Sequence, residues 1–589
     1  MIGKIISIEK NIVLLKLGIE IANQTNLINV HVVFEDENKK IVGEIMDILD
    51  DTAKVSIVGT IDNNTFIPGS ITKPAFRSNV RIISSFELSQ IFGNQIINDN
   101  SEIYLGGSTI YNGYNINVNI NNFFSNHFAI IGNTGSGKSF SVARILQNIF
   151  STSKTPPFRS SFFIFDAYGE YHNALRGISS INQGLNYKTY TTNLTQPEGE
   201  ILKIPVWLMD IDDIALLLGA SDHAQLPIIE KTLKLVTVLT NFNGEVTSYK
   251  NDIIARALLD ILLSGTASSK IRDQITAVLS KFNTEELSLN TIIVQPGYNR
   301  PLKQLLYVDD QGKIQEIERV IEFLQQFILP EYELNLPDEN YQYSLRDLEN
   351  AMEFALVSEG ILKSDKVFDY ANILLVRLHS LVNSNISTFF DYHEIVDKRT
   401  YINNLRTTST GQRAQIVNFN INYVDDRIAK VMTKIISKML LDYEVSLPER
   451  ASEPIHIVIE EAHRYVQNDN DNFLLGYNIF ERITKEGRKY GLLLGLITQR
   501  PSELSDTCVS QSSNFLVFRM LHPKDLTYIS EMVPNISSEL IQLIKSQQPG
   551  SCMAFGSAFK IPIAIKLEKP NPEPLSNNAN IVNSWFNNY

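Results

Sequence analysis

The chain has 589 residues, which is too many for one ordinary hydrophobic core, so we expect several domains. Its 43% hydrophobic and 20% charged content excludes disordered and collagen-like proteins, and two cysteines exclude both a disulfide framework and a four-cysteine zinc site. The net charge of -13 gives no bulk indication of nucleic-acid binding, although a few cations lining a groove or pore would suffice to contact phosphates.

Residues 1–95 contain short apolar runs separated by polar turn clusters such as Glu35–Asn38 and Asp62–Asn64. This pattern is typical of a small antiparallel β-barrel. Lys4, Lys10 and Lys16 interrupt the apolar N-terminus, and no later stretch reaches the roughly 18 uncharged apolar residues of a membrane-spanning helix. We therefore expect a soluble cytoplasmic protein that does not act on a membrane.

The residues after 95 show two kinds of pattern, one mixed and one mainly helical. Residues 96–209 and 401–566 combine strand-like runs with helical patterns, which indicates an α/β core in two parts. Between them, residues 210–400 show apolar residues at helical three-to-four spacing, which predicts a helical-bundle insertion. Prolines and asparagines dominate residues 567–589, which predicts an extended C-terminal tail.

A phosphate-binding motif follows the strand-like run Phe128–Ile131 and precedes an amphipathic helical pattern. Its glycines let the backbone curl so that successive N–H groups face phosphates, while Lys138 adds charge and the Ser139 hydroxyl can bind Mg²⁺. The predicted nucleotide-binding residues are Gly132, Asn133, Thr134, Gly135, Ser136, Gly137, Lys138, Ser139 and Phe140. The cofactors expected at this motif are ATP and Mg²⁺.

Two acids end the hydrophobic strand Ile455–Ile459, where nucleotide hydrolysis needs carboxylates. We predict that Glu460 lies near the metal and that Glu461 orients or deprotonates the attacking water. A solvated strand end is the alternative. His463 follows closely and is interpreted either as a packing or capping group or as a link between the acids and nucleic acid.

A further buried strand ends at Thr498-Gln499-Arg500-Pro501. Its polar side chains are expected at the same sheet edge, so Gln499 is a candidate sensor of the γ phosphate. An ordinary turn favoured by Pro501 is the alternative.

These motifs, in their order, resemble a known family. The segments GNTGSGKS, FFIFDAYGEY, IVIEEAHRYV, RITKEGRKYG and LITQRPSEL are similar to those of the HerA branch of the HerA/FtsK translocases. The resemblance covers residues 1 to 566, and the last three segments are its specific part. It implies a RecA-like P-loop NTPase core, preceded by a HAS-barrel-like domain. The position of Glu460 is often Asp in that family.

The resemblance also implies a homo-hexameric ring that encircles double-stranded DNA and pumps it with ATP. Such rings work with a separate effector, such as a NurA-type nuclease or, in antiphage defence, a sirtuin-like NADase. In a ring, an arginine from a neighbouring subunit can stabilise the leaving phosphate. Arg488 is the first candidate and Arg482 the second, a solvated basic helix face being the alternative. Asp166 and Glu170 are expected to organise water or the subunit interface, or to form an acidic turn.

The leading hypothesis is an ATP-hydrolysing DNA translocase or helicase that serves a nuclease or an NAD-consuming partner in DNA-end processing or antiphage defence. The alternative is an ATP-gated assembly scaffold that organises an effector without processive DNA movement. A small-molecule kinase is a third, disfavoured hypothesis, because the barrel, the paired acids and the candidate arginine suit a ring better.

Overall fold

The computed structural model describes residues 2–18, 27–36, 39–93, 95, 97, 100–152, 155–240, 244–295, 298–330, 342–360, 365–469, 471–532, 538–576 and 581–586. The chain divides into two compact units. The first contains Met1–Glu200, Ile402–Asp469 and Asn478–Tyr589, and the second contains Ile201–Tyr401 and Asn470–Tyr477.

The strands are numbered in chain order. They are β1 (Gly3–Glu9), β2 (Ile12–Leu17), β3 (His31–Asp36), β4 (Lys39–Leu49), β5 (Thr52–Asp62), β6 (Thr65–Pro68), β7 (Asn79–Ile82), β8 (Glu102–Ser108), β9 (Asn115–Asn119), β10 (Phe128–Ile131), β11 (Phe162–Asp166), β12 (Tyr187–Thr191), β13 (Glu200–Ile201), β14 (Ile292–Gln295), β15 (Tyr298–Pro301), β16 (Ile416–Asn420), β17 (Ile455–Ile459), β18 (Leu492–Thr498), β19 (Asn514–Phe518), β20 (Ser551–Gly556) and β21 (Ile563–Lys566).

The α-helices follow the same order. They are α1 (Ser85–Phe92), α2 (Ile120–Phe124), α3 (Lys138–Thr152), α4 (Tyr171–Leu175), α5 (Ile178–Ile181), α6 (Ile211–Leu218), α7 (Leu226–Thr240), α8 (Gly244–Leu262), α9 (Ser268–Lys281), α10 (Leu302–Leu305), α11 (Ile317–Gln325), α12 (Leu345–Gly360), α13 (Asp365–Val382), α14 (Lys398–Leu405), α15 (Asp426–Ser446), α16 (Asp471–Leu474), α17 (Ile479–Arg482), α18 (Arg488–Tyr490), α19 (Asp506–Ser510), α20 (Pro523–Met532), α21 (Ser538–Ser546) and α22 (Ile581–Phe586). A π-helix, Ile483–Gly487, joins α17 to α18.

The larger sheet has the strand order β13-β12-β16-β11-β17-β18-β10-β19-β20-β21-β8-β9. From β12 to β19 the paired neighbours are parallel, and from β19 to β9 they are antiparallel. Strands β11, β17, β18, β10 and β19 are buried at every position, as expected for parallel strands covered on both faces. Because parallel strands end at the same edge, the loops after β10, β17 and β18 meet there.

The smaller sheet has the order β1-β2-β5-β4-β3-β7, with β6 paired to β5. Its neighbours are antiparallel, and β5 alternates buried with partly exposed residues along its length. The amide of Ile2 donates to the carbonyl of Val80 (2.8 Å), which links the start of the chain to β7 at the far end of the strand order.

The second unit is mainly helical and also contains the hairpin β14-β15. It includes Asn470–Tyr477, a segment that the sequence placed in the second part of the α/β core. Within this unit the Tyr477 hydroxyl donates to Asp212 (2.8 Å), and the rings of Phe473 and His223 lie 4.7 Å apart. Contacts distant in sequence therefore decide where this segment packs.

The tail was expected to be extended, but the structure shows helix α22 within it. Ile581, Val582, Trp585 and Phe586 repeat at helical spacing, and no proline interrupts them. Residues 577–580 and 587–589 of that prediction lie outside the described part of the chain. Across the helices that the structure describes, none combines the length and apolar character needed to cross a membrane.

Candidate active site

The phosphate loop forms the turn between β10 and α3. Gly135 (φ 71°) and Gly137 (φ 103°) adopt left-handed backbone conformations that residues with a side chain rarely reach. A Cβ atom at Gly132 would lie 2.6 Å from the Cβ of Phe518, so a larger residue there would push the loop away from β19. These backbone positions explain why the motif needs glycine.

Lys138 begins α3, and its side chain folds back over the loop. Its Nζ donates to the carbonyls of Gly132 (2.8 Å) and Asn133 (3.2 Å). Burial lowers the pKa of the Lys138 ammonium, whereas the carboxylates of Glu461 and Glu460 raise it. The structure therefore brings the lysine and both predicted acids into electrostatic reach of each other.

Glu460 directly follows β17 and lies beside the first turn of α3, and it is only 3% exposed. The Ser139 hydroxyl donates to its Oε1 (3.2 Å). Burial raises the pKa of Glu460 well above its usual range, and the neighbouring carboxylates of Asp166 and Glu170 raise it further. Among the described residues, Glu460 Oε2 and Glu170 Oε2 are buried without a hydrogen-bond partner.

This donor set fits a magnesium ion. Mg²⁺ prefers oxygen ligands and is usually held by one or two carboxylates together with substrate phosphates. The Ser139 hydroxyl and the Glu460 carboxylate would hold it, and its positive charge would compensate the buried carboxylates.

Glu461 has a left-handed backbone (φ 47°, ψ 46°), which is uncommon for a residue other than glycine. Such conformations cost roughly 1–3 kcal/mol and cluster at functional sites. Burial raises the pKa of the Glu461 carboxyl, and the charge of Lys138 lowers it. A carboxylate with a raised pKa is a stronger base, which suits the predicted role in activating water.

Gln499 lies against the tip of the phosphate loop. The Thr134 hydroxyl donates to its Oε1 (2.5 Å). The strand end that carries Gln499 also contacts the base of the loop, since the amide of Gly132 donates to the carbonyl of Thr498 (3.1 Å). Gln499, the predicted sensor, is thus in contact with the loop that would bind the γ phosphate.

The two candidate arginines, Arg482 and Arg488, belong to the helical segment that precedes β18. Arg488 is exposed and begins α18, which comes directly before β18, whereas Gln499 comes directly after it. Burial lowers the pKa of His127 to about 4, and the charge of Arg488 contributes to this lowering. Because His127 precedes β10, Arg488 is at the sheet edge opposite the phosphate loop. Arg482 forms an ion pair with Glu486 (3.5 Å) on its own helical segment.

Of the two interpretations given for Asp166, the structure agrees with the acidic turn. Its carboxylate is wholly buried and accepts the backbone amides of Gly169 (2.8 Å), Glu170 (3.0 Å) and Tyr171 (3.0 Å). It therefore shapes the turn after β11, and it reaches neither solvent nor an exposed surface. Glu170 is the member of this pair with a buried oxygen that has no hydrogen-bond partner among the described residues, and its charge raises the pKa of Glu460.

Gly550 supports the phosphate loop from a distant part of the chain, and it was not among the residues predicted from the sequence. Its amide donates to the carbonyl of Ser136 (2.9 Å), and a Cβ at Gly137 would lie 2.9 Å from its nitrogen. No local motif surrounds Gly550, so only the paired strands on either side of it could have indicated this contact.

The family model and several relatives that match this chain carry the name HerA. The family model described as the central domain of helicase HerA matches residues 103–332. A probable helicase of Methanocaldococcus jannaschii is 25% identical over 88% of this chain and 79% of that protein. The DNA double-strand break repair helicase HerA of Pyrococcus furiosus is 23% identical over 87% of this chain and 77% of that protein.

Among solved structures, the bacterial conjugative coupling protein TrwB aligns with a TM-score of 0.44 and 11% identity, over 85% of this chain and 95% of that chain. A probable DNA double-strand break repair helicase HerA of Methanocaldococcus jannaschii is 23% identical over 93% of this chain and 92% of its own length. The chain is an ATP-hydrolysing enzyme, and the matches to the family model and to the HerA relatives, with the phosphate loop and the paired acids on a mixed α/β sheet, support a HerA family member.

Proposed function

We propose that the protein is an ATP-driven translocase or helicase that moves double-stranded DNA as a hexameric ring. One observation carries the proposal: Lys138, Ser139, Glu460, Glu461 and Gln499 meet at one edge of a parallel sheet. The relatives named as DNA double-strand break repair helicases support DNA as the substrate.

In the reaction, the loop amides and Lys138 bind the β and γ phosphates, and Ser139 with Glu460 would hold Mg²⁺, which would supply positive charge that screens the phosphates. Glu461 accepts a proton from a water whose oxygen attacks the γ phosphorus. The bond from that phosphorus to the bridging oxygen breaks, so ADP and inorganic phosphate leave. Gln499 passes the presence or absence of the γ phosphate to the end of β18.

The position of Arg488 is an argument for a ring of several copies. Since Arg488 lies at the sheet edge opposite its own phosphate loop, we infer that it serves the site of a neighbouring copy, with Arg482 as the second candidate. Such an arginine is worth about 10³ to 10⁵ in rate in other phosphate-loop enzymes.

If the protein is a translocase, its ATP turnover should depend on the length of the DNA duplex. ATP turnover at saturating DNA ends should rise with duplex length and then level off, because a longer track allows more steps before the ring runs off. Steady-state phosphate release on duplexes of increasing length measures this, with Lys138→Ala as the control for contaminating activity. A flat response combined with partner assembly would favour the ATP-gated scaffold instead.

We also propose a closed barrel for the smaller sheet, which the hydrogen bond from Ile2 to Val80 supports.

The resemblance to the family supports a separate effector, such as a NurA-type nuclease or a sirtuin-like NADase, in DNA-end processing or antiphage defence. Co-expression with the neighbouring gene product should give a native mass of six copies of this chain plus that product. A mass corresponding to the monomer, with ATP and DNA present, would contradict both the ring and the partner.

A further inference from the structure

His463 is a titratable side chain at the candidate site that the proposed hydrolysis reaction does not use. It lies in the short turn Ala462–Arg464, and it is 8% exposed. Its Nδ1 is 3.1 Å from the Thr498 hydroxyl and 3.3 Å from Glu461 Oε2. One ring nitrogen therefore lies between the carboxylate that would activate water and the end of strand β18.

Thr498 connects three parts of the site. Its carbonyl accepts the amide of Gly132 in the phosphate loop (3.1 Å), and its hydroxyl accepts the amide of Arg500 (3.0 Å). Gln499 stands between Thr498 and Arg500, so the threonine fixes the turn that presents the sensor. Whatever binds the Thr498 hydroxyl is thereby linked to the position of Gln499.

The Nδ1 of His463 has two competing partners. Its contact with Thr498 has hydrogen-bond geometry, whereas Glu461 Oε2 lies in range but outside that direction and has no hydrogen-bond partner among the described residues. A neutral imidazole that carries its proton on Nδ1 has one donor there. A small rotation of the ring or of the carboxylate would move this donor from Thr498 to Glu461.

We propose that His463 is a positioning residue for ATP hydrolysis, which shares its Nδ1–H between Thr498 and Glu461 and so couples the direction of the Glu461 carboxylate to the strand end that carries Gln499. The inference rests on the proposed role of Glu461 in orienting water. Burial lowers the pKa of His463, Glu503 raises it, and Arg500, Arg464 and Lys138 lower it. The imidazole of His463 is therefore neutral near pH 7. This agrees with the proposal, in which Nδ1 carries the single N–H donor.

Two substitutions separate this role from simple packing. In His463→Asn the side-chain amide takes the place of Nδ1, whereas in His463→Gln it takes the place of Nε2, and both variants are neutral and polar. Because a misplaced catalytic group can cost about 10²-fold, we expect His463→Gln to lower kcat by about 10- to 100-fold with KM for ATP changed less than about twofold. His463→Asn should keep kcat within about threefold of wild type, since it restores the donor.

The assay is ATP hydrolysis without DNA, with thermal unfolding of each variant measured in parallel. A His463→Gln variant with wild-type kcat, an equal loss in both variants, or a loss confined to KM would overturn the proposal. Thr498→Val gives a second test that does not need the His463 variants to fold well. Combined with His463→Gln it should add little further loss, because both changes break one linkage.

Glu461→Gln, measured in the same assay, distinguishes failure of the catalytic site from failure of the positioning role. If Glu461→Gln hydrolyses ATP at the wild-type rate, the proposed catalytic site itself is wrong. If Glu461→Gln is inactive while His463→Gln turns over normally, only the positioning role of His463 is wrong. Neither outcome depends on whether the ring moves DNA.

Discussion

Glu461→Gln should retain ATP binding and lose hydrolysis by about 10²- to 10⁴-fold, because an amide cannot accept the proton of the attacking water. Lys138→Ala should also stop turnover, but by weakening phosphate binding, since the Lys138 Nζ contacts the carbonyls of the phosphate loop. Equilibrium nucleotide binding and phosphate release, measured together, separate the two effects.

Glu449→Gln is a matched control for this prediction. Glu449 is an exposed acid before β17, at the end of that strand opposite Glu461, and its substitution should leave both binding and hydrolysis unchanged. Wild-type hydrolysis by Glu461→Gln would show that the acids after Ile459 have been assigned to the wrong reaction.

Mixing Arg488→Ala with Lys138→Ala should restore activity that neither variant has alone. Each site uses the phosphate loop of one copy and the arginine of its neighbour, so an Arg488→Ala loop beside a Lys138→Ala subunit is complete. In an equal random mixture of head-to-tail rings, about a quarter of the interfaces have this arrangement. Phosphate release from rings whose mixed composition is verified by native mass measures the recovery.

Lys489→Ala is the control for that experiment, because Lys489 is the adjacent exposed cation on the same short helix. It should remain active alone and should need no complementation. If verified mixed rings of the Arg488→Ala and Lys138→Ala variants stay inactive, Arg488 does not act on a neighbour, and the same mixture with Arg482→Ala becomes the next test.

Many individual elements were predictable from sequence. The strands Ile455–Ile459, Leu492–Thr498 and Asn514–Phe518 consist mainly of apolar residues, and each is preceded by a proline, glycine or serine and followed by a polar residue. Helices such as Leu226–Thr240 and Ser268–Lys281 follow their three-to-four apolar spacing. These patterns are local, so neighbouring residues in the chain contain the information.

The sequence by itself determined the phosphate loop, the two acids after β17 and Gln499 after β18, since each motif combines a few adjacent residues with the end of a buried strand. Only the tertiary structure decided that Asp166 shapes a turn, that Gly550 supports the loop, and that His463 lies between Glu461 and Thr498. The sheet places β17, β18 and β10 side by side although they are far apart in the chain. Contacts across such crossovers depend on strand order, which no local pattern of residues specifies.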